Sequence, residues 1–432
     1  MSHRTIARGA ASAFALALVA GSVALAQQPV TGPVPQGVPG WKQGMPKAFE
    51  SSPLAPHSPR LTATPIEKIP LDKLKLPTGF KAEIWASGMP GARMMTRGDK
   101  GTVFSGSRTI GRVYATVEKN GKRESKILVQ GLSQPNGVLF HKGALYVVAI
   151  NKVLRFDDIE SKLDSKPEDL KPVDLTEKFD LPKDEHHGWK FLALGPDGKI
   201  YIPVGALCNL CEVNPGTHAH IRRYTLDGSG MEIVARGVRN TVGLTFHPTS
   251  NELWFTDNGR DWSGNNGPQD ELNRLPANKI GANFGFPYCH AEGITDPDLK
   301  KPDSCAGVIR PAALMGPHSA ALGLRFYTGT MFPAAYKNVA FVARRGSWNR
   351  DQKFGYDVVA VTTNADGTNA TVKPFLTGLL DEKGNAFHGR PVDVQVQPDG
   401  SLLVADEENG AIYRISYNNA RTAEAAGAQK KN

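Results

Sequence analysis

The chain has 432 residues, 40% of them hydrophobic, with 45 glycines and 31 prolines. That length suits one large domain or two ordinary ones, and the Gly and Pro content argues for many short connections, hence an all-β chain rather than a helical one. The formal charge of +9 comes from 51 basic and 42 acidic residues scattered along the chain; with no basic arm a nucleic-acid partner is not expected, and the surface suits anionic ligands instead.

In chain order, residues 1–26 carry Arg4 and Arg8, then an apolar run ending in "ALA" before Gln27. This is the layout of a secretory signal cleaved after Ala26, so the expected location is periplasmic with no stable membrane insertion. Residues 27–75 form a Pro-rich extension, with eleven prolines between residues 27 and 79 and little periodicity. It is expected to be partly disordered or wrapped over the domain surface.

From residue 76 to 417 short apolar runs alternate with Gly-, Asp- and Asn-rich turns. One pattern recurs six times: a first strand, a turn that is often "PDG", and a second β-rich run that ends near a small or acidic residue. The copies begin at Ala92, Pro135, Lys190, Thr241, Leu322 and Pro391. Six hairpin-rich units that cannot each bury both faces alone predict a six-bladed β-propeller. The strand "FKAEIWA" at 80–86 is expected to complete the last blade and close the ring. A pair of β-sandwiches is the alternative architecture. Residues 418–432 are read as a flexible tail.

Four cysteines, Cys208, Cys211, Cys289 and Cys305, allow three pairings in an oxidising compartment; 208–211 with 289–305 is the simplest. "CNLC" is followed by Glu212 rather than His, which argues against covalent haem. Cys208, Cys211, His218 and His220 offer a loosely spaced zinc set, and the disulfide is favoured over it.

The chemistry-bearing residues fall on the loops that flank the strands. "DEHHGWKF" supplies His186 and His187, one of which is a candidate general base; an ordinary surface pair is the competing reading. "GVRNTVG" places Arg239 and Asn240 at the mouth of the fourth unit, and "TDNGRDW" leaves the same unit. "ARRGSWNR" leaves the fifth, and "FHGRP" enters the sixth. If these loops share one face, Arg239, Arg260, Arg344, Arg345 and Arg390 surround one opening. Converging arginines need an anion to offset their repulsion.

The series "GVRNTVGLTFHPTSNELWFTDNGRDWSGNNGPQDELN", "ANFGFPYC", "HSAALGLRFYTG" and "RRGSWNR" resembles the sorbosone dehydrogenase group of the pyrroloquinoline quinone (PQQ)-dependent soluble glucose/sorbosone dehydrogenase superfamily, from about Leu76 to Tyr417. The resemblance implies a six-bladed propeller with PQQ over its axis and a calcium ion touching the quinone. It implies that His187 is the base that takes the proton of the sugar hydroxyl, and that Arg239 and Asn240 contact the quinone oxygens. Arg344 and Arg390 match residues that pair with PQQ carboxylates, and Gly259 and Arg260 match a pair whose backbone carbonyls ligate calcium. The implied partners are a sugar or sugar-derived aldehyde and a soluble electron acceptor, quinone or cytochrome. The chain departs from the pattern at Val392, where a second arginine is expected, and at Arg345, where histidine is. Two other readings stay open: a calcium-dependent hydrolase of lactonase type, and a non-catalytic carbohydrate-binding propeller.

Overall fold

The computed structural model describes Met1 and residues 37–364 and 366–418. Apart from Met1, the signal segment 1–26, the start of the extension and the tail from residue 419 lie outside the described residues. Six antiparallel blades follow one another along the chain. Their first strands are Ala92–Arg97, Gly137–His141, Ala193–Leu194, Leu244–Phe246, Ala321–Phe326 and Pro391–Val396. Each of the six copies predicted from the sequence supplies one blade. The ring closes as expected: Phe80–Ala86 pairs antiparallel with Ala411–Tyr417, in the register Phe80↔Tyr417.

The strand runs read as they do because of where each lies. Inner strands such as Ile200–Val204 and Leu402–Asp406 are buried along their whole length. Both of their faces are covered by neighbouring blades, so they appear as continuous apolar runs rather than alternating ones. Outer strands such as Lys122–Val129 begin exposed and end buried. Between blades the cores are local. Phe104 and Val113 pack with Leu145 and Val147, Trp254 and Leu272 with Leu324 and Phe326, and Phe341 and Val358 with Val404 and Tyr413. Each such side chain contributes roughly 1.5–3 kcal/mol by its burial, so the ring is held by six interfaces of similar kind.

The antiparallel order dictates the site. Where a blade's first strand begins, its second strand ends, at the same end of the ring. Arg93, Arg239, Asn240 and Arg390 sit at or beside first-strand starts. Arg108, Asp257, Arg345 and Glu407 sit at or just after second-strand ends. All the loops that carry candidate residues therefore open onto one end.

Two disulfides, Cys208–Cys211 and Cys289–Cys305, join all four cysteines. The zinc alternative falls with them. His218 Nε2 meets Asp184 at 2.9 Å, and His220 lies between the Pro215 carbonyl and the Arg222 guanidinium.

Candidate functional site

At that end lies a cavity of about 580 Å3, within the size range of ligand sites. Its wall includes His186, His187, Arg239, Asn240, Asn258, Gly259, Arg93, Arg108, Arg345, Arg390 and Glu407. Arg260 and Arg344 are not on it. Six arginines line the opening, and Arg239, Arg345 and Arg390 among them belong to the five the sequence suggested, while Arg60, Arg93 and Arg108 do not.

One pole is built by blades three and four. Asp257 ends the strand Leu253–Asp257 and spends both oxygens on backbone amides, those of Arg239 at 2.8 Å and Asn240 at 2.6 Å. Arg239 is buried and fully engaged. Its Nε donates to the Asn209 carbonyl, Nη1 to the carbonyls of Asn258 and Gly259, and Nη2 to Asn209 Oδ1 and the Asp261 carboxylate. Asn209 lies inside the Cys208–Cys211 loop, so a disulfide-closed turn grips the guanidinium from one side and "TDNGRDW" from the other. Asp270 fixes that loop by accepting from the Gly259 amide. Arg260 turns away, fully buried against Asp296 at 2.8 Å and Asp298 at 2.6 Å.

His187 stands beside this pole in a left-handed backbone conformation, φ 50°, uncommon for a residue with a Cβ and frequent where function holds the chain in place. Its Nδ1 donates to the Ala206 carbonyl at 2.8 Å, which leaves Nε2 as the lone-pair nitrogen. Burial, His186 and Arg239 push its pKa well below the usual imidazole value. The His186 ring lies 3.8 Å from it, and burial with Arg239 pushes that ring down to about 3. The pair is therefore neutral near neutral pH.

The other pole is built by blades one, five and six around Glu407. Arg93 and Arg345 both pair with this carboxylate, and Arg390 Nη1 reaches it at 3.8 Å. Burial alone would raise the Glu407 carboxyl, but Arg345, Arg93 and Arg390 outweigh it and hold it well below the carboxylate range. One anion does not neutralise the cluster. Burial, with Arg345 alongside, pushes Arg108 and Arg390 down to about 9. Arg390 is 1% exposed, yet its Nε and Nη2 have no hydrogen-bond partner among the described residues. Buried donors left unmet are costly, so the pole is shaped for an anion with oxygens to accept them.

Arg344 serves the wall from behind. Its guanidinium forks onto Asp357 at 2.7 and 2.6 Å and donates to the Met315 carbonyl. Its chain neighbour Arg345 takes the place at the cavity. Sequence reasoning missed Arg93, Arg108, Asn209 and Glu407. For Glu407 a signal existed: "ADEENG" closes a buried strand with three acids, much as "TDNGRDW" closes one with two.

Comparison with known proteins agrees with the geometry. A family described as TrAA12-like matches residues 217–418. An uncharacterized protein of Borreliella burgdorferi is 32% identical over 354 residues, covering 80% of this chain and 91% of that one. The pyrroloquinoline quinone-dependent pyranose dehydrogenase of Coprinopsis cinerea is 24% identical over 417 residues; 80% of this chain aligns with 55% of that protein, so the chain spans about half the dehydrogenase's length. Among solved structures, a calcium structure of the Trichoderma reesei AA12 enzyme superposes with a TM-score of 0.66 at 18% identity, covering 80% of this chain and 97% of the other. With a six-bladed ring and a loop-built cavity at one end, the chain belongs to the superfamily of soluble PQQ-dependent glucose and aldose dehydrogenases and their AA12-like relatives.

Proposed function

We propose that this chain is an exported quinoprotein that oxidises a sugar or sugar-derived aldehyde, with PQQ as cofactor and a soluble quinone or cytochrome as electron acceptor. The observation that carries this reading is Arg390, a buried guanidinium with two unmet N–H donors in an undercompensated arginine cluster, facing the same cavity as a neutral histidine. A tricarboxylate satisfies such a cluster by charge-assisted bonds. When bound, PQQ supplies an ortho-quinone that accepts a hydrogen with its electron pair.

Each role follows from position. Arg390, Arg345, Arg93 and Arg108 hold the carboxylates, with Arg345 taking the part that the resemblance gave to Arg344. Arg239 and Asn240 lie at the opposite pole, where a fixed guanidinium stabilises negative charge on a reacting oxygen without reorganising. His187 Nε2 takes the proton of the substrate hydroxyl, and the Nδ1–H bond to Ala206 fixes the ring for that task. The products are a lactone from an aldose, or an acid from a hydrated aldehyde.

Calcium is proposed at the backbone carbonyls of Gly259 and Arg260, where it would polarise the accepting oxygen as a Lewis acid. The donors support a hard cation there. Asn258 Oδ1, next along the chain, is a buried acceptor with no partner among the described residues, and the Gly259 carbonyl keeps a second lone pair beyond the one Arg239 engages. A hydrolase of lactonase type would instead need carboxylates free to converge on the ion, and Asp257 and Asp270 spend theirs on backbone amides. The two disulfides support export to an oxidising compartment.

The test is reconstitution of the purified protein with PQQ and calcium, followed by dye reduction against aldoses, sorbosone and simple aldehydes. Turnover that requires both additions is expected. Bound PQQ with no turnover on any of them leaves the carbohydrate-binding reading, and a protein that binds no PQQ sinks the dehydrogenase.

A further inference from the structure

The propeller's own loops build the two poles, but they do not complete the wall. Residues 37–64 of the Pro-rich extension run as a strap past blades three, four, five and six. At blade three, the Gly40 carbonyl accepts from the Asn209 amide at 3.0 Å and that of Gln43 from Leu210 at 3.2 Å. At blade four, the Trp41 carbonyl accepts from Trp262 Nε1 at 2.8 Å. At blade five, His57 Nε2 lies 3.2 Å from both the Ser347 carbonyl and the Tyr356 hydroxyl. At blade six, Arg60 meets Glu408 at 3.2 Å and the Thr64 amide donates to the Asn409 carbonyl. Gly40, Trp41 and His57 line the cavity itself.

Two glycines set this path. A Cβ on Gly40 would lie 2.4 Å from His186 Cγ, so the strap presses directly on the histidine pair. One on Gly44, whose φ is +74°, would lie 2.0 Å from the Leu210 carbonyl oxygen. Between them the half-buried Trp41 ring stands in a cluster with Trp262 at 5.9 Å and Trp348 at 5.5 Å. An indole braced on two others is a rigid apolar surface, of the kind that packs against the C–H face of a sugar ring.

Building on the proposed function, we propose that the strap is the substrate-side wall of the site and that Trp41 sets substrate length. It admits a single sugar ring or a short aldehyde beside His187 and excludes glycosidically extended sugars. The strap's hold is local: short 3-10 turns, a handful of hydrogen bonds and the ring contacts of Trp41, Phe49 and His57. Weakening it at one point therefore alters the wall without touching the six-bladed core.

The full-length protein, loaded with PQQ and calcium, tests this through three variants. Trp41→Ala and Gly44→Ala are expected to raise kcat/KM for a disaccharide relative to its monosaccharide by on the order of tenfold, whereas Trp41→Phe keeps the wild-type ratio. Independently of turnover, modification of His186 by diethyl pyrocarbonate, mapped by mass spectrometry on the unloaded protein, should accelerate about tenfold in Gly44→Ala as the strap lifts. A newly reactive His186 with an unchanged disaccharide ratio overturns the size filter. Equal His186 reactivity in wild type and Gly44→Ala overturns the wall itself. A wild-type protein that oxidises no sugar overturns the proposed function instead, and His186 reactivity then judges the strap alone.

Discussion

The two poles of the cavity are both built from buried arginines, yet they differ in how those arginines are satisfied. Arg239 has every guanidinium nitrogen engaged, by carbonyls, a side-chain amide and Asp261. Arg390 has two unmet nitrogens and shares Glu407 with Arg93 and Arg345. A satisfied cation in a rigid cradle is preorganised to act on charge that develops during a reaction. An unsatisfied one is a standing demand for a ligand. Position around a ring sets the distinction, not residue type: blade four brings backbone carbonyls to its arginine, while blades one, five and six bring mainly each other's arginines.

Mutation at each pole should therefore fail differently. Removing the base, His187→Ala, is expected to lower kcat/KM by about 10²–10⁴-fold with PQQ affinity nearly unchanged; retention of full turnover in reconstituted enzyme would falsify its role. Arg239→Lys keeps the charge but loses the fork. Turnover should fall by roughly 10²–10³-fold, in kcat more than in KM. Its melting temperature should also drop, because the Asn209, Asn258 and Gly259 acceptors lose their shared partner.

Arg390→Gln should show the opposite pattern. Each charge-assisted bond contributes about 1.5–3 kcal/mol, so PQQ should bind some ten- to hundredfold more weakly. The unloaded protein, relieved of one uncompensated cation, should melt no lower than wild type. Calorimetry with and without PQQ separates the cases: a loss of unloaded stability as large as that of Arg239→Lys would erase the distinction between the poles. In the wild type, PQQ at a hundred times its dissociation constant should add about 2.7 kcal/mol of stability.

What the sequence made legible follows the same division. Blade count and ring closure were readable because inner strands, covered on both faces, leave unbroken apolar runs between turns. The loop "TDNGRDW" stood out because so many polar residues at the end of a core strand are poor packing material, and its acids do hold the loop. The Glu407 pole was not. Arg93 sits inside "ARMMTR", where one arginine looks like ordinary strand alternation, and it meets Glu407 across 314 positions. Arg344 and Arg345 are adjacent and chemically identical; only strand pleat decides that one pairs with Asp357 and the other faces the cavity. That the extension wraps over the domain was one of the two readings the sequence left open; its place at the cavity was not legible, because proline-rich segments lack periodicity and the contacts of Gly40, Trp41 and Gly44 follow no pattern.

The smallest effect expected is a near-absence of one. An ordinary imidazole, with a pKa of about 6.5, would cost a base half its activity at that pH. Burial, His186 and Arg239 all disfavour the protonated form of His187, so kcat/KM should stay nearly flat as pH falls through 6.5, its acid limb lying lower. The arginine pole reaches the same ring, since Arg108 also lowers its pKa. An anion that neutralises that pole should raise the pKa again. The limb seen in kcat/KM of the loaded enzyme should therefore lie above the His187 titration followed by NMR in the unloaded protein. Coincident values would mean that the two poles do not sense each other; an NMR titration at or above 6.5 in the unloaded protein would mean that His187 is not the buried, neutral group on which the base assignment rests.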